Sequence, residues 1–237
     1  MTESHGVVIQ VARHPVKSLE GELLDACNVD LRGLSGDRLW AVCDPDGKLG
    51  SGKSSRRFRR MEGLRELVAV YDGDVPVITF PDASSMRGDD PDVHARLSRH
   101  VGRPVRLQRE TTVSHHDDGP VHLVTTASLR ALSAAVGAPV DVRRARANLV
   151  VDWAGADFTE NEWAGQHVRV GELVLEITMR MPRCVMVNAA TRDLPAHPDV
   201  LRTLGEVNDA TFGVLAEVVQ PGVVRHGDVV QRLTPVD

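Results

Sequence analysis

The chain contains many short apolar runs that stop at turn-forming residues, and this pattern constrains its fold more than any other feature. Such runs open the sequence at 6–16 and fill most of 212–233. Residues 64–82 hold two more, separated by an Asp-Gly-Asp turn centred on Gly73, which is typical of a hairpin. Strand-like runs outnumber helical ones and do not alternate regularly with them. The sequence therefore predicts an α+β fold of mainly antiparallel, barrel-like β-sheets with a few helices.

Three segments have the apolar spacing and the end signals of helices. They are residues 89–102, 125–137 and 197–207. Asp90 is expected to cap the first helix, because a short polar side chain accepts hydrogen bonds from the free N–H groups there. Gly102 and Gly137 are expected to end the first two helices, since glycine readily adopts the left-handed conformation of a helix terminus.

A polar break at residues 103–120 divides the sequence. With 237 residues the chain suits one large domain or two smaller ones that share a core. We predict two domains, 1–110 and 111–237. Aromatic residues make up only 3% of the chain, so the core is expected to consist mostly of Val, Leu and Ala.

The charge balance and the cysteine count limit the classes of function. A formal net charge of −5 argues against a nucleic-acid-binding protein, although basic clusters occur at 56–60 and 143–146. Three widely spaced cysteines do not suit a disulfide framework. No signal-peptide core and no run of about 18 apolar residues is found. We therefore expect a cytoplasmic protein that binds neither a membrane nor a nucleic acid.

Residues 47–54 read GKLGSGKS and match G-x-x-x-x-G-K-[ST], the phosphate-binding loop of NTPases. Such a loop needs a buried strand before it and a helix after it. Here a DPDG turn leads into the loop, and a helix after Lys53 is conceivable but rich in arginine. The LVVD run at 149–152 resembles a second NTPase motif. We expect no nucleotide binding, and instead expect the basic groups of this loop to border an active site and attract anions.

Cys184 is the cysteine with the most reactive surroundings. Arg180 and Arg183 lie within four residues of it, and nearby positive charge favours the thiolate that attacks or binds a metal. Cys27 and Cys43 lie in apolar runs and fit buried, inert thiols. Cys184 is therefore the candidate catalytic or metal-binding residue.

Seven short segments resemble, in order, the MOSC family with its N-terminal MOSC-associated β-barrel, as found in mitochondrial amidoxime-reducing components and their bacterial relatives. They are HPVKSLEG (14–21), GLSGDRLW (33–40), ASLRAL (127–132), RANLVV (146–151), FTENEW (158–163), PRC (182–184) and FGVLAEVVQPGVVRHGD (212–228). No single segment is specific, but together they extend over nearly the whole chain.

The resemblance implies a molybdenum cofactor, whose pterin dithiolene carries the metal and ends in a phosphate. By the same resemblance Cys184 ligates molybdenum, which suits a soft thiolate donor. The other residues that the resemblance assigns to cofactor binding are Lys17, Ser18, Arg38, Ser128, Arg146 and Asn148. A phosphate is bound well by arginine forks, a lysine charge and hydroxyl groups, and donors at a helix N-terminus add to this.

The implied activity is reduction of small N-hydroxylated substrates such as amidoximes and hydroxylamines. The chain has no G-x-G-x-x-G after a strand, no four-cysteine cluster and no C-x-x-C-H motif, so a separate electron-transfer protein or reductase is expected as a partner. Two alternatives stay open. Cys184 carries a persulfide in a sulfurtransferase, or the protein carries the cofactor without turnover.

Some residues depart from the family pattern or suggest other chemistry. RAN replaces the family's RPN at 146–148, and VNAATRDL follows Cys184 where the family often has VDPDTG-like residues, which leaves the substrate open. His115, His116 and His122 suggest a metal site, but no cysteine or ordered carboxylate pattern accompanies them.

Overall fold

A computed structural model describes residues 5–233. The three α-helices are α1 (Val93–Val101), α2 (Thr126–Val136) and α3 (Asp199–Asn208). The strands are β1 (His5–Arg13), β2 (Glu22–Leu24), β3 (Ala26–Asp30), β4 (Gly33–Leu34), β5 (Trp40–Cys43), β6 (Leu49–Ser51), β7 (Phe58–Arg60), β8 (Val68–Asp72), β9 (Val75–Thr79), β10 (Ser85–Arg87), β11 (Arg106–Arg109), β12 (Val121–Thr125), β13 (Leu149–Asp152), β14 (His167–Val170), β15 (Leu173–Pro182), β16 (Thr211–Gln220), β17 (Gly222–Arg225) and β18 (Val229–Leu233). The predicted α+β class with barrel-like sheets is confirmed.

Seven strands close into a barrel in the order β13-β12-β16-β15-β14-β18-β1, and β1 returns to pair with β13. All neighbours are antiparallel except β12 and β13. Apolar side chains of the barrel strands are buried and form one core cluster, which includes Val8, Leu123, Leu149, Leu175 and Val214. Closure leaves the barrel with no unpaired strand edge, which is a stable arrangement for an antiparallel sheet.

The first strand of the chain belongs to this barrel, although its other six strands lie between residues 121 and 233. A further small sheet has the order β17-β3-β4, and its β17–β3 pairing again joins distant parts of the sequence. The division into domains 1–110 and 111–237 remains a prediction, and these strand pairings cross it.

A second core lies between residues 16 and 107. The sheet β11-β5-β6-β7, the hairpin sheet β10-β9-β8 and helix α1 enclose it, with Leu64, Leu67, Ile78 and Leu97 fully or almost fully buried. Val16 and Leu19 also belong to this cluster. The segment that follows β1 therefore packs into the second core and carries residues 17 and 18 to the junction of the two cores.

The helix boundaries agree with the sequence in most details. Helix α1 ends at Gly102 and α2 at Gly137, both in the left-handed conformation. The expectation that Asp90 caps α1 is wrong, since Asp92 occupies the cap position and Asp90 instead accepts a hydrogen bond from the Asp92 backbone N–H. In residues 5–233 no helix is long and apolar enough to cross a bilayer.

The GKLGSGKS segment does not form the strand–loop–helix unit of an NTPase. Leu49–Ser51 is the short strand β6, and the chain after Lys53 bends into strand β7. The helix considered possible after Lys53 is therefore not formed. Without a helix N-terminus after the loop, the backbone N–H groups that cradle phosphates in NTPases are not brought together.

This geometry gives a direct expectation for nucleotides. Isothermal titration of the protein with Mg-ATP or Mg-GTP should give no saturable heat. The Lys53→Ala variant should give the same result in this titration. A micromolar dissociation constant that disappears in Lys53→Ala would contradict the reading of this segment as a connecting loop.

Candidate functional site

A cavity of about 190 Å³ lies at the junction of the two cores. It brings together six of the seven residues that the sequence singled out, from four separate segments of the chain. They are Lys17, Ser18, Arg38, Arg146, Asn148 and Cys184. Lys53 also lines it, in line with the expected position of the basic loop.

Three of these lining residues have a backbone conformation that residues other than glycine rarely adopt. The φ angles are 69° at Ser18, 50° at Arg38 and 54° at Arg146. Backbone hydrogen bonds hold two of them, from the Arg38 N–H to the His14 carbonyl at 2.7 Å and from the Arg146 N–H to the Arg143 carbonyl at 3.1 Å. Positive φ costs free energy and concentrates at sites where geometry serves a function, so its occurrence three times around one cavity supports a binding role.

Lys17 is almost fully buried at 2% exposure. Its Nζ lies 2.7 Å from Asp117 Oδ1 and 4.9 Å from the centre of the Phe58 ring. Burial lowers the pKa of Lys17 to about 8, although the Asp117 carboxylate opposes this. The lysine is therefore charged near neutral pH.

Arg38 contributes a second positive charge, partly neutralised by its neighbour. Its Nη1 forms a short contact with the buried Asp37 carboxylate, and its Nη2 donates to the Arg146 carbonyl at 3.2 Å. Asp37 also accepts a hydrogen bond from the His14 backbone N–H at 2.7 Å. This network fixes the Arg38 side chain against the segment that carries Arg146.

Arg146 holds donors that the protein itself does not use. Its side chain is only 12% exposed, yet Nη1 and Nη2 have no hydrogen-bond acceptor within residues 5–233. The nearest carboxylate oxygen, Glu20 Oε1, is 3.7 Å from Nη1. Burial lowers the pKa of Arg146 to about 9. A desolvated guanidinium with free N–H groups beside a cavity is suited to the oxygens of an anionic ligand.

Cys184 follows strand β15 and precedes a 3-10 turn, Val185–Asn188, and its side chain is half-buried. Its neighbour Arg183 donates from Nη2 to the carbonyls of Arg144 and Ala145, at 3.3 and 3.0 Å. Burial lowers the pKa of Arg183 to about 10, while its attraction to Cys184 opposes that shift. Arg183 thus ties the cysteine to the segment that ends in Arg146.

The other two cysteines are placed as inert thiols. Cys27 and Cys43 are both buried, and burial raises the pKa of each, that of Cys43 to about 11. Such thiols stay protonated and unreactive near neutral pH. Cys184 is therefore the accessible thiol of the three.

Asn148 lines the cavity, but its amide serves the fold. Its Oδ1 accepts from the His122 backbone N–H at 3.1 Å, and its Nδ2 donates to the Ala12 carbonyl at 3.3 Å. His122 is buried, and burial lowers its pKa to about 3, so the ring is neutral. No group of three or more His, Cys, Asp or Glu side chains in the described part of the chain is arranged to hold a metal ion.

Ser128 is not at the cavity. It is fully buried in the first turn of α2, where its Oγ donates to Glu160 Oε2 at 2.5 Å. Its backbone N–H donates to the Thr125 side chain that caps the helix. The helix N-terminus is thus satisfied internally, by Thr125 and Glu160, and the position of Ser128 favours a structural role over the expected cofactor contact.

We expect Ser128→Ala to lower the free energy of unfolding by about 1–3 kcal/mol, because the buried Glu160 loses a donor. The content of the molybdenum cofactor that the family resemblance implies should not change. Urea unfolding and metal analysis measure the two quantities, and Ser85→Ala, at an exposed strand position, is the matched control. A loss of cofactor without a loss of stability would instead support the contact implied by the family resemblance.

Sequence reasoning did not single out Asp117 or Met186, which also line the cavity. Asp117 sits in the polar break, where its charge looked like that of an ordinary exposed loop. Its proximity to Lys17, 100 residues earlier, follows only from the tertiary fold. For Met186, two residues after Cys184, the position beside the candidate cysteine was the only available signal.

Comparison with known proteins agrees with this architecture. The family model of the MOSC domain matches residues 110–231, and that of the MOSC N-terminal beta barrel domain matches residues 5–110. The solved structure of the YUAD protein from Bacillus subtilis has a similar fold, with a TM-score of 0.56, 14% identity, and coverage of 98% of this chain and 97% of that one.

Similar curated proteins are mitochondrial amidoxime-reducing components. The component 1 of Danio rerio is 26% identical over 280 aligned residues, covering 97% of this chain and 85% of the relative. That of Xenopus laevis is 32% identical over 137 residues, which cover 52% of this chain and only 38% of the relative. The two family matches together cover almost the whole sequence, and the chain therefore belongs to the MOSC domain family, with a MOSC N-terminal β-barrel region ahead of the MOSC domain.

Proposed function

We propose that the protein is a molybdenum-cofactor-dependent oxidoreductase that reduces small N-hydroxylated compounds of the amidoxime or hydroxylamine type. Membership of the MOSC family and similarity to proteins named amidoxime-reducing components support this proposal. One observation carries it. The free guanidinium donors of Arg146 and the thiol of Cys184 border the same small cavity.

The donor set fits the two ends of such a cofactor. Lys17, Ser18, Arg38 and Arg146 offer cationic and hydroxyl donors for a phosphate and a pterin, and Cys184 offers a soft thiolate for the metal. Arg146 is the clearest case, because an anionic ligand would satisfy donors that the fold leaves unused. When bound, the cofactor supplies the two-electron redox chemistry at molybdenum.

The protein's own share of the reaction is binding and positioning. Conversion of an N-hydroxy group to N–H consumes two electrons and two protons and releases water. Arg183 and its carbonyl contacts hold the Cys184 backbone in place. The Asp117 partner holds the Lys17 ammonium at the cavity wall. These contacts keep the donors oriented before any ligand arrives, which lowers the entropic cost of binding.

A sulfurtransferase is the second candidate, and the half-buried thiol of Cys184 favours it specifically. A thiol that is accessible and flanked by arginine suits persulfide chemistry as well as metal ligation. A non-catalytic cofactor carrier is the third. Elemental analysis for molybdenum with pterin detection separates the persulfide protein from the other two, and turnover separates the enzyme from the carrier.

The activity test uses purified, molybdenum-replete protein and benzamidoxime. We expect turnover with reduced viologen as electron donor and none with NADH alone, because no dinucleotide, haem or iron–sulfur motif occurs in this sequence. A separate electron-transfer protein is the proposed physiological partner. Turnover on NADH in a preparation free of reductase would contradict the need for that partner, and a lack of turnover with viologen would contradict the enzyme.

A further inference from the structure

A second and larger cleft, of about 790 Å³, adjoins the cofactor cavity. It lies between residues 60–66 of the N-terminal half and residues 185–198, which follow Cys184. The two cavities share Ser18, Ser51 and Met186 as lining residues. The Met186 sulfur fills the space where a side chain at residue 52 would lie, so Gly52 allows this contact between the two halves. A molecule in the cleft would therefore lie next to the position of Cys184.

The walls of this cleft are largely apolar, and its outer edge carries the exposed charged side chains of Arg60, Glu62, Glu66 and Arg192. Leu64, Val185, Met186 and Ala189 are among the lining residues. At the edge, Arg60 Nε lies 2.6 Å from Glu62 Oε1, and both side chains are mostly exposed. Such a surface suits an aromatic or aliphatic body, and the paired edge charges add little selectivity.

Arg65 differs from the charged side chains at the edge of this cleft because it is buried. The residue is 7% exposed, and its Nη1 donates to the Met186 carbonyl at 3.1 Å. Its Nε and Nη2 find no hydrogen-bond acceptor in the part of the chain that the structure describes. Buried guanidinium donors are usually satisfied, so two unused ones on a residue that lines a cleft indicate a missing ligand group.

The positive charges around Arg65 are also only partly balanced by carboxylates. Glu20 Oε1 lies 3.7 Å from Arg65 Nη2 and 3.7 Å from Arg146 Nη1, so one carboxylate is shared between two guanidinium groups. Burial lowers the pKa of Arg65, and the nearby Arg144 adds to this, while Glu20 and Cys184 oppose it. One positive charge more than the carboxylate can balance therefore faces the two cavities.

The geometry of the free donors identifies the group that would bind. Nε and Nη2 lie along one edge of the guanidinium, and their N–H bonds match the two oxygens of a planar carboxylate. The same protein uses this arrangement elsewhere, where Arg32 Nε and Nη2 each donate at 2.7 Å to an oxygen of Glu110.

We propose that Arg65 binds a carboxylate on the substrate, so that the preferred substrates are N-hydroxylated compounds that carry a carboxylate on an apolar body. The proposal rests on the proposed reductase function for the identity of the substrate. The carboxylate subsite itself rests only on Arg65 and the cleft. Arg65 acts as a specificity residue, since it lines the cleft while the cofactor cavity has its own donors.

Binding is tested by isothermal titration of 4-carboxybenzamidoxime and of the neutral isostere 4-carbamoylbenzamidoxime into the purified protein. We expect the carboxylate to bind at least about tenfold more tightly, as a charge-assisted pair in a buried site allows. Arg65→Gln should remove this preference while leaving the affinity for the carboxamide and the molybdenum content unchanged. Arg60→Gln, which removes a paired edge charge of the same cleft, should change the preference by less than about twofold.

Equal affinity of the parent protein for the two ligands would overturn the proposal without any variant, so a folding defect in Arg65→Gln does not leave it untested. A loss of molybdenum in Arg65→Gln would also overturn it and assign the residue to the cofactor. Arg65→Lys, which keeps the charge without the fork, should retain only part of the preference. If the carboxylate preference is found but viologen supports no turnover, the reductase function fails and the subsite stands.

Discussion

Replacement of Cys184 by serine is expected to abolish benzamidoxime reduction while the fold is retained. A serine hydroxyl is nearly the size of a thiol but is not a soft, readily ionised donor, so it replaces the cysteine neither as a metal ligand nor as a sulfur carrier. The residue is half-buried and follows β15, and at such a position a hydroxyl causes little desolvation cost. Viologen-dependent kcat/KM should fall to background, with a thermal midpoint close to that of the parent.

Cys27→Ser and Cys43→Ser are the matched controls for this experiment. Both thiols are buried and do not line the cavity that Cys184 borders, so both variants should keep kcat/KM and lose about 1–3 kcal/mol of stability from burial of a hydroxyl. Full activity in Cys184→Ser would rule out the metal-ligand and the persulfide roles together.

The second large effect is expected at Arg146. Arg146→Gln should lower molybdenum cofactor occupancy at least about tenfold, the loss that corresponds to one charge-assisted contact. The stability of the cofactor-free protein should stay unchanged or rise, because the substitution removes a largely buried charge whose Nη atoms have no hydrogen-bond acceptor among residues 5–233. A fall in cofactor occupancy without a fall in stability distinguishes a ligand-binding arginine from one that stabilises the fold.

Arg143→Gln provides the control, since Arg143 belongs to the same basic cluster but is exposed and paired with Asp141 at 2.8 Å. Molybdenum and pterin are measured per folded protein, and stability is measured by urea unfolding of cofactor-free samples. Unchanged occupancy together with a large loss of stability in Arg146→Gln would show that this side chain serves the fold.

Local features of the structure were predictable where a short stretch of sequence determines them. The hairpin of β8 and β9 turns at Gly73, and α1 and α2 end at Gly102 and Gly137, because these positions need a left-handed backbone that glycine adopts readily. The strand partners of β1 were not predictable. The apolar pattern of β1 identifies it as a strand but contains no information on which distant strands it joins.

The candidate site was predictable to the extent that short motifs mark it. Six marked residues line one cavity, yet Ser128 lies elsewhere, because Thr125 and Glu160 satisfy it inside the helix terminus. Arg65 was not predicted, since an arginine between Leu64 and Glu66 resembles an ordinary exposed charge in the sequence. Its burial and its hydrogen bond to the Met186 carbonyl, 121 residues later, are set by the tertiary fold.

The pairing of β1 with β13 and β18 also governs how the molecule is made. β1 is synthesised before the other barrel strands, but its partners are translated only after most of the chain, so it must wait without its neighbours. Contacts this distant in sequence slow folding, and an unfinished barrel offers open strand edges to other chains. The residues that line the cavity of Arg146 extend from Lys17 to Leu215, so this cavity is completed only after most of the chain has been translated. Molecular chaperones that shield β1 during synthesis would therefore protect the future ligand site as well as the fold.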